Sequence, residues 1–151
     1  MKDQLASLRQ ATERLDQIEA AGRKHPGAFF SFFMDSPVPA WIKSTSGKMV
    51  LSNRAYERTY GIAPEEYINH IDADNWQEVE AEGFGDLDRQ AAETNALALG
   101  VEHLFNKQAN RPEALFVAKW PTAWDGDGKV IKVGGIVLMT VVEPPGPADE
   151  C

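Results

Sequence analysis

The sequence predicts an α+β fold: a five-stranded antiparallel sheet with helices on one face, and an N-terminal amphipathic helix ahead of it. Three observations predict the sheet and its cover. Five strand-like apolar runs fall in the order β-β-helices-β-β-β. Helical patterning fills the stretch between the second and third runs. The three later runs are joined by polar or Gly-containing connections suited to hairpins. Sequential strands joined this way make an antiparallel sheet, and helices clustered between them cover one face of it.

At the N-terminus, Leu5, Leu8, Ala11, Leu15 and Ile18 recur at helical spacing between charged residues. Residues 1–24 are therefore read as an amphipathic helix for dimerisation or capping, with Leu5, Leu8, Leu15 and Ile18 as its contact stripe. The run Gly22-Arg23-Lys24-His25-Pro26-Gly27 breaks it. A globular domain is expected over 28–143, opening with a short aromatic helix or turn at 28–34, and a disordered tail over 144–151, where PPGPADEC lacks any pattern.

Within the domain, the runs Ala40-Trp41-Ile42 and Met49-Val50-Leu51 flank a polar turn containing Gly47 and predict a hairpin. Asn53 stands where a helix over 54–60 needs its N-cap, and Gly61 where that helix needs a left-handed stop. Pro64-Glu65-Glu66 suits a second helix start, with Tyr67-Ile68 as apolar anchor. Asp74 is expected to cap a short segment carrying Trp76 and Val79. The longest helix is expected over 87–99, with Leu87, Ala91, Thr94 and Ala98 on one face and Gly100 ending it. Strands are expected over 101–108, 114–120 and 130–142. The Gly, Asp and Asn content of 61–85 predicts a weakly packed cover.

At 151 residues the chain has the size of one domain with a real core. A net charge of −8 argues against a surface built to bind nucleic acid or anionic membrane. The single cysteine, Cys151, allows no internal disulfide. With no signal-peptide pattern and no long apolar run, a cytoplasmic protein is expected.

The order of parts resembles the PAS domain, a sensory and interaction module, here of the bacterial type. The residues that carry the resemblance are Phe29 to Phe33, Ser36-Pro37, Trp41-Ile42, Gly47, Val50-Leu51, Asn53-Arg54-Ala55, Tyr60 and Gly61, followed by Lys119-Trp120-Pro121, Asp125-Gly126-Asp127-Gly128 and Gly135-Ile136-Val137. The resemblance spans roughly residues 28–142. It implies signal sensing, with a small molecule as ligand and a homodimer or a separate signalling protein as partner. Family members with covalent flavin or pigment chemistry need a mid-domain cysteine, which this chain lacks. Haem-binding members commonly use a His on the long helix, and residues 87–100 contain none. The cofactor is thus left unknown, with covalent flavin ruled out and haem disfavoured. Where members with an attached output domain commonly end in Asp-Ile-Thr, this chain reads Leu138-Met139-Thr140. That favours a stand-alone module acting in trans.

The aromatic residues invite two readings. One is plain core packing. The other is an aromatic-lined ligand pocket built from Trp41, Trp76, Phe105, Phe116 and Trp120 with Asn53, Tyr56 and His103 as polar groups. A ligand-free PAS scaffold for protein assembly is the alternative within the same fold. An enzyme is not expected, since phosphate loop, nucleophile elbow and Cys-His pair are all missing. A small α+β hydrolase or isomerase would have to pair His103 with Asp72 or Asp74. A metal site at His70-Asp72-Asp74 and a calcium loop at Asp125-Gly126-Asp127-Gly128 are the weaker readings of a solvated loop and a hairpin turn.

Overall fold

The computed structural model describes residues 2–24 and 26–144 and divides into two compact units, Met1–Asp35 and Ser36–Cys151. The first unit holds α1 (Lys2–Lys24) and α2 (Pro26–Asp35). The helix break expected at 22–27 falls between them, and Pro26 opens α2, where its missing N–H costs nothing. The aromatic helix expected at the head of the domain thus falls in the N-terminal unit. The side chains of Leu5, Leu8, Leu15 and Ile18 lie outside the described residues, as do residues 145–151 of the expected tail.

The second unit is a five-stranded sheet in the order β2-β1-β5-β4-β3. Its strands are β1 (Ala40–Ser44), β2 (Met49–Ser52), β3 (Ala98–Asn106), β4 (Arg111–Trp124) and β5 (Val130–Val142). Each pairing between neighbouring strands is antiparallel, as expected from the hairpin-like connections. Gly47 takes φ 90° in the β1–β2 turn and donates to Ser44, a conformation that a side chain would resist. The β4–β5 turn is closed by Asp125, whose Oδ1 accepts from the amides of Asp127 and Lys129 at 2.9 Å each. With these contacts the Asp125 loop forms the hairpin turn between β4 and β5.

Four elements cover one face: α3 (Arg54–Tyr60), α4 (Pro64–Tyr67), a 3-10 turn (Asp72–Asp74) and α5 (Glu78–Thr94). Asn53 caps α3 by accepting from Tyr56 N at 2.9 Å, and Gly61 ends it in the left-handed region at φ 69°. The other three starts share one device, a carboxylate reaching back to an exposed amide. Glu66 accepts from Ala63 N, Asp74 from Ile71 N and Glu80 from Gln77 N.

The long helix differs from expectation. It spans Glu78–Thr94 and stops at Asn95, which takes the left-handed conformation at φ 49°. Ala98, Leu99 and Gly100 begin β3 instead. Asn is the residue other than Gly that tolerates this cap, and the sheet claims Gly100 because a Cβ there would sit 3.0 Å from the Leu87 side chain. The cover is also not weakly packed: Tyr67, Trp76 and Phe84 are all buried in the core.

Candidate functional site

Strand register fixes which side chains face the cover. One row across the sheet runs Ala98, Lys119, Gly135, Trp41, Ser52 through successive pairings. Gly135 belongs there for a steric reason: a Cβ would lie 2.4 Å from the Trp41 ring, so the indole rests directly on the glycine backbone. A parallel row places Glu102 opposite Leu115. Since side chains alternate along a strand, the inward set is Trp41 and Lys43 from β1, Glu102 and Leu104 from β3, and Leu115 and Lys119 from β4.

With Tyr56, Tyr60, Tyr67, Asp72, Trp76 and Phe84 from the cover, these residues line a narrow internal cavity. It leaves only about 20 Å³ to the centres of water-sized spheres, on the order of one or two waters. Its wall is a continuous chain of edge-to-face rings: Trp41 to Tyr56 at 5.9 Å, Tyr56 to Tyr60 and to Tyr67 at 4.9 Å, Tyr60 to Trp76 at 5.5 Å and Trp76 to Phe84 at 5.6 Å. Each such contact contributes about 0.5–1.5 kcal/mol beyond burial.

Charge runs along the same wall. Lys43 and Lys119 are 3% and 0% exposed, and a buried ammonium survives only with counter-charges and acceptors around it. Lys43 Nζ meets Asp72 and lies 3.0 Å from Asp88. Lys119 Nζ lies 2.8 Å from Asp88, meets Glu102 and donates to the Phe84 carbonyl at 2.9 Å. The result is an alternating ladder, Asp72–Lys43–Asp88–Lys119–Glu102, that joins β1, β3 and β4 to the 3-10 turn and α5. Tyr67 extends it by donating to Asp72 at 2.8 Å, and Trp76 Nε1 donates to the Tyr67 hydroxyl at 3.1 Å.

The ladder divides protons unevenly. Burial alone pushes the Asp88 carboxyl up, but Lys43 and Lys119 on either side outweigh it and hold Asp88 below its ordinary value. Burial would likewise lower Lys43, yet Asp88 and Asp72 raise it overall. Glu102 is the exception. Its burial outweighs the attraction of Lys119, so its carboxyl is raised. Burial also raises the hydroxyls of Tyr56, Tyr60 and Tyr67, which keeps them as neutral donors.

The structure brings together three of the sequence-predicted pocket residues, Trp41, Tyr56 and Trp76. Asn53 is buried but occupied: its Oδ1 accepts from Ala40 N at 3.0 Å and Tyr56 N, and its Nδ2 donates to Val38 O at 2.8 Å. Its role is to pin the start of α3 to β1. His103, Phe105, Phe116 and Trp120 belong to the opposite face of the sheet, since they alternate with the inward residues of β3 and β4. His103 pairs with Glu143 at 2.7 Å in the open, away from Asp72, which is committed to Lys43 and Tyr67. The pairing of His103 with Asp72 or Asp74 is therefore not formed, and its carboxylate partner is Glu143. Asp72 turns inward while His70 meets Asp74 at 3.2 Å outside, and no metal-holding cluster of His, Cys, Asp and Glu occurs among the described residues.

Lys43, Asp88 and Glu102 are site residues that motif and composition do not single out, and Lys119 enters the sequence reading only as part of the closing hairpin. Their signal is parity: Glu102 and Leu104 share one face of a strand, as do Leu115, Val117 and Lys119.

Residues 33–140 match the sequence profile of the PAS fold, more than half of the chain. The chain belongs to the PAS fold family. No curated protein matches it in sequence. Solved structures resemble it in fold. The VqmA dimer of Vibrio cholerae has 20% identity and a TM-score of 0.61, over 77% of this chain and 52% of that one. The PAS domain of Bordetella pertussis BvgS has 18% identity and a TM-score of 0.52, over 75% and 82%. A Rhodobacter sphaeroides LOV protein has 14% identity and a TM-score of 0.57, over 89% and 69%. The matched region spans 56%, 32% and 48% of the chains of three further similar structures. No helix among the described residues is long and apolar enough to cross a membrane.

Proposed function

We propose that this PAS domain is a sensory module that holds a small molecule non-covalently between the inner face of its sheet and α3–α5, and passes occupancy on through a homodimer or a partner protein in trans. One observation carries the reading: the aromatic chain and the acid–base ladder share one wall, and that wall is tied to three strands and two cover elements. A ligand that moves a single ring or ladder group must displace a strand or the cover with it, because packed interiors shift between discrete arrangements.

The absence of any cysteine before Cys151 argues against a cysteine adduct in the cavity. The absence of His from the cavity lining argues for a ligand other than haem. A similar structure, VqmA bound to DPO, lends support to ligand binding on this fold. The net charge of −8 favours a protein over a nucleic acid as partner.

Native mass spectrometry of the freshly purified full chain tests the reading. The expected result is a retained small molecule that denaturation releases, in a sample without Soret or flavin absorption. The small void favours one rival, a ligand-free scaffold with a dry interior. A bare chain mass, unchanged after incubation with cell metabolites, would leave that rival standing.

A further inference from the structure

Beside the internal cavity lies a second, polar cleft of about 220 Å³ by the same measure, lined by Tyr60, Gly61, Ile62, Glu66, Asn75, Trp76, Lys107 and Gln108. Tyr60 and Trp76 line both spaces. Their edge-to-face contact at 5.5 Å is thus the partition between a void that admits one or two waters as the rings now stand and a much larger outer cleft. Among the described residues the Tyr60 hydroxyl has no hydrogen-bond partner, although the residue is only 5% exposed. A buried donor in that state is costly and calls for an acceptor.

We propose that the Tyr60–Trp76 pair is the gate of the ligand site, and that the ligand is a neutral planar ring carrying a hydrogen-bond acceptor that takes the Tyr60 hydroxyl. This rests on the sensory reading above and names its ligand class and entry. Planarity follows from walls made of ring edges and faces. Neutrality follows from the ladder, where each ammonium already has two carboxylates at hand and a further ion would be desolvated without a partner. The acceptor follows from Tyr60, whose raised hydroxyl stays protonated and can donate. The outer cleft supplies the approach. Tyr60, whose ring is held by edge-to-face contacts with Tyr56 and Trp76, is the less anchored half of the gate, since Trp76 also donates to Tyr67.

Benzamide, a neutral ring with an amide acceptor, and ethylbenzene, which lacks one, serve as probes on the full chain by calorimetry and tryptophan fluorescence. Benzamide is expected to bind saturably. Tyr60→Phe should weaken it by about tenfold while leaving ethylbenzene unchanged, as for loss of one buried hydrogen bond. The same variant should melt no lower than wild type, because it removes an unsatisfied hydroxyl. Trp76→Phe, which shortens the partition, should speed benzamide association. Equal benzamide affinity in wild type and Tyr60→Phe overturns the inference, with sensing left intact. Failure of both probes to bind wild type also overturns it, and the native mass spectrum then decides separately whether the sensory reading falls too.

Discussion

Asp88 is the residue on which the interior balances, since its two oxygens face two different buried ammonium groups. Replacing it with Asn leaves Lys43 and Lys119 with one carboxylate each. Breaking a buried ion pair from one side costs about 3–5 kcal/mol, so chemical denaturation of Asp88→Asn should show a loss of that order. Glu102 gives a signed pH effect. Its folded-state value is raised above the unfolded one, so the stability it contributes is present at low pH and lost as pH rises through the folded value. Asp88 runs the other way, contributing above its unfolded value and losing that contribution as pH falls through its depressed folded value. Glu102→Gln keeps Lys119 paired with Asp88 and cannot lose a proton. Its melting temperature relative to wild type should therefore climb as pH rises from acid to neutral, and a flat difference would show that Glu102 titrates as an ordinary carboxylate.

At the scale of elements, two glycines make opposite predictions from the same substitution. Gly83 lies inside α5 with nothing within 4 Å of the place a Cβ would take, so Gly83→Ala should stabilise by about 0.5–1 kcal/mol through lower unfolded-state entropy. Gly135 lies under Trp41, and Gly135→Ala should cost about 1–3 kcal/mol by overpacking and quench or shift the Trp41 emission. Thermal melts of the two variants side by side check both. Glycines and caps also explain which elements are legible in the sequence. Asn53, Gly47 and Gly61 are local devices, each acting on the backbone within a few residues, and their elements fall where the sequence places them. The expected bounds of α5 miss because Gly83 and Gly85 weaken the helical signal where the helix really runs, while Ala98 and Leu99 continue a helical pattern in residues that pair with β4 as a strand. The site is half legible for the related reason that aromatic rings announce a core, whereas the face they occupy depends on strand register, which no local signal carries. Trp41 and Trp120 are alike in sequence, and the pairing with β5 sends one inward and the other out.

For the whole molecule the open relation is between one chain and the next. α1 runs for 23 residues, about 35 Å at 1.5 Å per residue. Its sequence sets Leu5, Leu8, Leu15 and Ile18 on one stripe, and in water an isolated helix of that composition is marginal without a surface to cover the stripe. We infer that a second copy of α1 supplies that surface. Four such side chains buried against a partner could contribute several kcal/mol, on the order of 1.5 each, before the entropy of association is subtracted. Light scattering on the full chain should give twice the monomer mass, and Leu8→Asp with Leu15→Asp should return it to the monomer. Circular dichroism guards against simple unfolding, because the sheet signal must persist in the double variant. A monomeric mass for the unmodified chain at all concentrations would move the signalling step from dimerisation to a different protein partner, with α1 as the surface offered to it.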